Sequence, residues 1–258
     1  MSQLDDILRD LVVANRILSN EDVVDAYGHI SVRHPDNPKR FFLSRSRAPE
    51  LVERHDLIEF DEEGEPVSDK RQPYIERHIH AAIFEARPEI MAVVHAHAED
   101  TLPFGIINKP LEPVIHSGAF IGGKVPVWDI RKKFGETNLL VTNMAQGRDL
   151  AKSLGKGNVA LMRGHGFASA ARSIIEVVRL SVYLPRNARV QMNSMRMGGK
   201  PKPLSKGEIA ARTSGYKPHS HETWRAWDYW ATRAGCGDMI GEPHAHHNTE
   251  KHDHAPKK

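Results

Sequence analysis

Apolar residues recur along this chain with two periods, one typical of helices and the other of strands. Leu4, Leu8, Leu11 and Val12 share one helical face, which predicts an amphipathic helix over roughly the first twenty residues. Short apolar runs bounded by turn residues predict strands at 30–33, 40–43, 57–60, 91–95, 125–128 and 159–162. Pro126 indicates that the fifth of these strands lies at a sheet edge.

Three further segments have helical periodicity. Residues 75–86 form one apolar face before Pro88, and Asn143 is positioned to cap a helix that ends at Gly155. Residues 173–197 have a long helical pattern that Pro185 should kink or split. Because strands and helices alternate, we predict a single α/β or α+β domain with a mixed sheet.

The C-terminal part has a weaker pattern. Four aromatic residues within 224–230 predict a segment that packs on the body of the protein. Residues 242–258 are polar and include five histidines, so we predict a disordered tail. The remaining residues, 1–241, are then expected to form one catalytic domain.

Composition narrows the class of protein. The chain has 258 residues, a net charge of +3 and a single cysteine, Cys236, which excludes internal disulfides and cysteine-rich metal sites. Basic clusters interleaved with aromatic residues are missing, so we expect no nucleic-acid partner. No apolar run approaches the ~20 residues that a membrane span requires. We therefore expect a cytoplasmic protein with no membrane partner.

Three histidines follow apolar runs. His95 and His97 end the first run, and His165 ends the second, within the sequence Arg-Gly-His-Gly. In an extended strand residues i and i+2 project to the same side, so His95 and His97 can share one ion. Neutral imidazole is the commonest ligand for divalent transition metals, and open catalytic sites often combine three protein ligands with one free position. The histidines therefore predict a metal enzyme.

Glu76 is the candidate carboxylate of this site. Glu76 and His80 are spaced i, i+4 on the predicted helix before the His95 strand, so they should share one face. A carboxylate beside a bound metal can act as a ligand, a base or an acid. Taken alone, Glu76 is better explained as an ordinary surface glutamate, and only its position one short helix before the histidine strand favours the catalytic role.

Four separated segments of the chain together resemble the class II aldolase/adducin family, in the expected order and spacing: 28–33, 76–88, 92–97 and 161–166. The resemblance implies a three-layer α/β/α sandwich around a mixed, largely antiparallel sheet. It implies that His95, His97 and His165 bind one zinc or manganese ion per subunit and that Glu76 is the acid/base. It also implies a homo-oligomer, often a tetramer, with active sites near subunit contacts.

Departures from the family's sugar-phosphate aldolases point to the substrate. The first turn has His29 where asparagine is usual, the turn at 43–49 lacks its glycine, and Pro73 and Tyr74 replace two serines. Added bulk should spoil a backbone-amide cradle for phosphate. Arginine offers a planar fork suited to carboxylates. The candidate substrate-binding residues are His29, Ser31, Ser44, Arg45, Arg47 and Arg163.

The segment 43–50 and Arg163 resemble the branch of the family that decarboxylates hydroxylated aromatic or pyridine dicarboxylates. Simple surface solvation remains an equal alternative for Arg45 and for Arg47. We therefore predict a lyase that removes carbon dioxide from a hydroxylated aromatic or oxo carboxylic acid through a metal-stabilised enolate. The partner would be a small-molecule carboxylate.

Other functions are weaker interpretations. An aldolase that cleaves a non-phosphorylated hydroxy-oxo acid or a sugar-derived substrate would need the same metal chemistry. A non-catalytic, adducin-like interaction domain has no need to keep all three histidines and Glu76 together. An amidohydrolase barrel needs more strands downstream of its His-x-His pair than this chain supplies. A cupin is disfavoured because Glu99 follows His97 too closely.

Overall fold

Seven strands form one twisted sheet in the computed structural model, which describes residues 2–214 and 220–241. The order is β3-β2-β1-β4-β7-β6-β5, and each pair is antiparallel except β5 and β6. This confirms the mixed, largely antiparallel sheet. The strands are β1 His29–Arg33, β2 Phe41–Ser44, β3 Leu57–Phe60, β4 Ala92–Ala96, β5 Val127–Trp128, β6 Val159–Met162 and β7 Gly166–Ala171.

Helices cover both faces of the sheet, as the α/β/α sandwich requires. Helices α1, α6 and α8 pack on one face, and α2 and α5 pack together on the other. Alternate residues of each strand pack into the hydrophobic cores on opposite faces of the sheet. Val94 belongs to the core beneath α1, α6 and α8, and Val93 to the core beneath α2 and α5. The helices are α1 Gln3–Asn20, α2 Arg77–Ala86, α3 Leu102–Ile106, α4 Arg131–Phe134, α5 Met144–Leu154, α6 Ile174–Arg196, α7 Lys206–Thr213 and α8 His221–Arg233.

The ends of the main helices follow local capping chemistry. Ser2 and Asp5 form a reciprocal capping box at the start of α1. The side chain of Asn143 accepts a hydrogen bond from the backbone N–H of Gln146 at 3.1 Å, which confirms the predicted cap of α5. At the sheet edge, β5 is a two-residue strand beside β6, as the proline predicted.

The sequence predictions for the start of α2 and for a split in α6 were wrong. The helix predicted from residue 75 begins at Arg77, and Ile75 is 53% exposed instead of lying on its apolar face. Helix α6 is not split at Pro185; it runs unbroken from Ile174 to Arg196. Proline removes one backbone hydrogen bond, but Leu184 and Pro185 are buried against the core, and this packing keeps the helix continuous.

The aromatic segment does pack on the body. In α8, Trp227 and Trp230 are 1% and 2% exposed and join the core shared with α1 and α6, whereas Tyr229 faces outward. Helix α7 was missed by the sequence pattern. The predicted tail, 242–258, lies outside the described residues. Within the described ranges, no helix has both the length and the apolar character to cross a membrane.

Candidate metal centre and substrate cavity

Three imidazoles converge where β4 ends beside the turn between β6 and β7. His95 lies in β4, His97 follows that strand, and His165 lies in the turn. The Nε2 atom of His97 lies 3.0 Å from Nε2 of His95 and 3.1 Å from Nε2 of His165. The convergence predicted for His95 and His97 is therefore present in the structure, and β7, which pairs with both β4 and β6, brings His165 to it.

Backbone carbonyls orient two of these rings. His95 donates from Nδ1 to the carbonyl of Phe167 at 3.0 Å, and His165 donates from Nδ1 to the carbonyl of Leu139, also at 3.0 Å. A carbonyl can only accept, so both Nδ1 atoms carry the proton and both Nε2 lone pairs are free. Lone pairs held this close and facing one point suit a shared cation. The residues present therefore fit a divalent metal.

Glu76 completes the cluster from the N-cap position of α2. Its Oε2 atom lies 3.3 Å from Nε2 of His95 and 3.4 Å from Nε2 of His165. Its Oε1 atom accepts the backbone N–H of Val141 at 2.9 Å. One ligand atom from each of Glu76 and the three histidines lies within 4.8 Å of all the others, so these four residues could hold a metal ion.

Electrostatics keep this cluster in a metal-binding protonation state. Burial favours the neutral form of Glu76, but the imidazoles of His95 and His165 outweigh it and hold the pKa of the carboxyl below its ordinary range. Burial, with the neighbouring imidazoles, lowers the pKa of His97 to about 4. At neutral pH Glu76 is therefore an anion and His97 is a neutral imidazole.

A glycine allows the strands to meet at the cluster. A Cβ atom on Gly166 would lie 2.2 Å from the carbonyl oxygen of Ala96 and 3.0 Å from Cδ2 of His97. Real Cβ atoms do not approach a backbone atom so closely, so a larger residue would displace the backbone beside His97. The glycine after His165 in the sequence motif thus has a packing role.

A cavity of about 350 Å³ opens beside the cluster. Glu76, His97 and His165 lie on its wall together with His29 and Arg47. The rest of the lining is mainly apolar, with Ala26, Tyr27, Ala48, Tyr74, Ile75 and Leu140. Such a cavity, apolar with a few polar groups at one side, suits a small flat molecule that carries charge at one edge.

Tyr74 and His29 form one wall of this cavity. Their ring centroids are 4.5 Å apart. Tyr74 donates from its hydroxyl to the carbonyl of Arg47 and accepts from Ser44 at 3.4 Å. Burial raises the pKa of Tyr74, so it stays a neutral phenol. Ser44, predicted to bind substrate, therefore supports the wall through Tyr74.

The predicted arginines have different surroundings. Asp56, whose side chain is fully buried, binds Nε of Arg45 at 2.6 Å and lies 3.3 Å from Nε of Arg47. Arg47 lines the cavity, whereas Arg45 is paired with Asp56 behind it. Nε of Arg163 lies 2.8 Å from Asp129. Of the three arginines, Arg47 is the one that lines the cavity.

Ser31 also lies in the interior. Its hydroxyl is 2.6 Å from Nδ1 of His80, and Nε2 of His80 is 2.6 Å from Nδ1 of His29. Ser31 and His80 are fully buried. The sequence placed His80 on the face of Glu76 but gave it no role. The feature that could have indicated a role for His80 was its place among the apolar residues of the predicted helix. No local pattern identified His29 and Ser31 of β1 as its partners.

The fold and this cluster define a family. Residues 9–192 match the model of the class II aldolase and adducin N-terminal domain, and the chain belongs to that family. It is 34% identical to decarboxylase tropJ from Talaromyces stipitatus, over 90% of this chain and 95% of that protein. It is 27% identical to a 3,4-dihydroxyphthalate decarboxylase from Arthrobacter keyseri, over 78% of this chain and 83% of that protein.

Solved structures agree on the fold. The crystal structure of an aldolase II superfamily protein from Pseudomonas syringae superimposes with a TM-score of 0.75 at 20% identity, covering 93% of this chain and 98% of that chain. The resemblance noted in the sequence is thus confirmed. The chain belongs to an enzyme family, and its relatives include decarboxylases.

Proposed function

We propose that this protein is a metal-dependent carboxy-lyase that decarboxylates a hydroxylated aromatic or oxo carboxylic acid. The observation that carries the proposal is the convergence of three Nε2 atoms and one carboxylate at the end of a largely apolar cavity. The names of the decarboxylase relatives support the choice of reaction.

His95, His97 and His165 would hold the ion, which we propose to be zinc or manganese, one per subunit. When bound, a divalent cation supplies Lewis-acid stabilisation of negative charge on a reactant oxygen. The Nδ1–H bonds of His95 and His165 to backbone carbonyls keep their lone pairs directed at that position. Imidazole ligands alone do not distinguish the two metals.

The other residues have distinct roles in the proposal. Loss of carbon dioxide leaves an electron pair on the substrate carbon, which must take up a proton. Glu76, an anion in the free protein, would first take a proton from a substrate hydroxyl through Oε2 and then return it to that carbon, because Oε1 is held by the Val141 N–H. Arg47 would bind a substrate carboxylate with its terminal nitrogens, since its Nε is directed to Leu51 and Asp56.

The cavity walls favour a planar carboxylate over a sugar phosphate. Tyr74, Ile75 and Leu140 offer apolar surface for an aromatic ring and exclude water from the reacting carbon. Tyr74 and His29 stand where small polar residues would be needed for a phosphate cradle. Arg45 and Arg163, which are paired with Asp56 and Asp129, would act by holding the adjoining loops in place.

We also propose a homotetramer with the cavity near a subunit contact. Tyr27 and Ile75 are 71% and 53% exposed at the cavity mouth, which is unusual for large apolar side chains. Light scattering coupled to gel filtration tests the assembly. Replacement of Ile75 with glutamate should dissociate it, whereas the same change at Val67, an exposed residue away from the cavity, should leave it intact.

The reaction is tested by incubating zinc- and manganese-loaded protein with hydroxybenzoates, phthalate-type acids and keto acids. Mass spectrometry follows carbon dioxide and aldehyde release in parallel. We expect carbon dioxide without aldehyde; aldehyde alone would establish an aldolase instead. His165→Ala should lose bound metal and turnover together. His55→Ala, which changes an exposed histidine, is the matched control.

A further inference from the structure

A buried chain of three side chains leads from the interior of the sheet to the substrate cavity. Ser31 lies in β1, His80 in α2, and His29 at the start of β1. Their polar atoms are joined at 2.6 Å, first from Ser31 Oγ to His80 Nδ1 and then from His80 Nε2 to His29 Nδ1. Only His29 reaches the cavity lining.

The imidazoles of His29 and His80 must both be neutral. His29 is 4% exposed and His80 is fully buried, and neither makes an ion pair with a carboxylate among the residues the structure describes. An unpaired buried imidazolium would cost several kcal/mol. Each ring therefore carries one proton, and the hydrogen bonds decide which nitrogen holds it.

The serine hydroxyl sets the direction of the chain. Within the described residues, His80 is the sole hydrogen-bond partner of the Ser31 hydroxyl. A buried O–H that donates to nothing is costly, so Ser31 donates to Nδ1 of His80. His80 must then carry its proton on Nε2 and donate to Nδ1 of His29. By the same reasoning, His29 carries its proton on Nε2.

The position of the His29 ring directs its Nε2 proton towards the cavity. Its Nδ1 atom faces His80, and the ring is held between Tyr74 and His95, with centroids 4.5 Å and 5.2 Å away. The two nitrogens of an imidazole point in widely divergent directions, and His29 lines the cavity, so we place Nε2 on the cavity side.

We propose that Ser31 and His80 are positioning residues that fix His29 as a hydrogen-bond donor to an anionic or carbonyl oxygen of the substrate. These three hydrogen-bonded side chains would favour a substrate with an accepting oxygen, such as a carboxylate or phenolate oxygen, beside the substrate group that binds the metal. The identity of that oxygen rests on the proposed carboxy-lyase function, whereas the proton position on His29 does not.

Long-range ¹⁵N–¹H NMR of the zinc-loaded full chain tests the proposal, since protonated and unprotonated ring nitrogens resonate far apart. Signals are assigned by their loss in His29→Asn and His80→Asn. We expect Nε2 to be protonated and Nδ1 unprotonated in both rings. A proton on Nδ1 of His29, or on both of its nitrogens, would overturn the proposal without touching the lyase assay.

Ser31→Ala examines the origin of the pattern. Without the hydroxyl, we expect the His80 signals to move towards a mixture of tautomers and those of His29 to follow. Ser169→Ala is the matched control, because Ser169 is a fully buried strand serine that bonds to Ser181 instead of to the site. Unchanged His80 signals in Ser31→Ala would contradict the role of Ser31. If that variant does not fold, the wild-type spectrum alone decides.

Discussion

The Oε1 atom of Glu76 accepts a hydrogen bond from the backbone N–H of Val141, so one oxygen of the carboxylate is anchored and the other faces the histidines. One oxygen thus holds the side chain in place, and the other is left for the proposed proton transfer. Glu76 comes from the N-cap of α2, and Val141 comes from the segment before α5. Helices α2 and α5 pack closely, so the anchor is built into the core.

Glu76→Gln should keep this anchor, because the amide oxygen can still accept from Val141. We expect metal content to be retained and turnover to fall by about 10²–10⁴-fold, the range for loss of a general acid or base. Elemental analysis and carbon dioxide release measure the two effects. Glu85→Gln, which changes an exposed glutamate paired with Arg148, should leave both unchanged. Loss of metal in the Gln variant would make Glu76 a ligand instead.

Arg47→Ala should raise KM for a carboxylate substrate about ten- to hundred-fold, because charge-assisted hydrogen bonds are worth ~1.5–3 kcal/mol. Turnover at saturation should change less. Steady-state kinetics test this, with Arg54→Ala as the control, since Arg54 pairs with Asp5 at the surface.

Arg45→Ala should behave differently. Its guanidinium neutralises the fully buried Asp56, so its removal should lower the free energy of unfolding while KM changes little. Urea unfolding and kinetics on the same samples distinguish the two arginines. A larger KM effect from Arg45 than from Arg47 would reverse our assignment of the carboxylate-binding residue.

Gly166→Ala should destabilise the protein by ~1–3 kcal/mol, because the new methyl group would overlap the Ala96 carbonyl. Since His97 follows Ala96, zinc affinity should fall as well. Thermal unfolding and competitive zinc titration measure the two effects. Gly123→Ala, where an added Cβ meets nothing within 4 Å, should be nearly neutral. Equal behaviour of the two variants would refute the packing role of Gly166.

The metal-free protein should lose stability as pH falls below about 6.5. Burial, and then the neighbouring His95 imidazole, lower the pKa of His80 to about 3 from an ordinary value of 6.5. At a pH between these two pKa values, His80 is protonated in the unfolded chain but not in the folded protein. Lowering the pH therefore favours unfolding. His80 alone contributes at most about 1.4 kcal/mol per pH unit.

Urea unfolding of chelator-treated protein at pH 7 and pH 5 measures this dependence. His80→Gln should reduce the slope by about one proton, whereas His55→Gln, an exposed control, should not. A stability that is flat over this interval would show that His80 takes up a proton in the folded protein.

The sequence by itself predicted most of the strands and helices and the four residues of the candidate metal cluster. Periodicity located α1, α5 with its Asn143 cap, and the strands that carry His95 and precede His165, because these signals depend on neighbouring residues. The His-x-His spacing predicted that His95 and His97 project to the same side at one strand end. These features are local, so they are readable from the chain.

The tertiary structure alone decided which polar residues meet. Register between β1 and β4 sets His29 opposite His95, and the packing of α2 against the sheet brings His80 to Ser31, which diverts that serine from the cavity. Asp56 binds Nε of Arg45 at 2.6 Å and lies 3.3 Å from Nε of Arg47, and the local sequence indicates neither contact. Whether a side chain faces a substrate or a buried partner depends on contacts across strands, and no local spacing encodes those contacts.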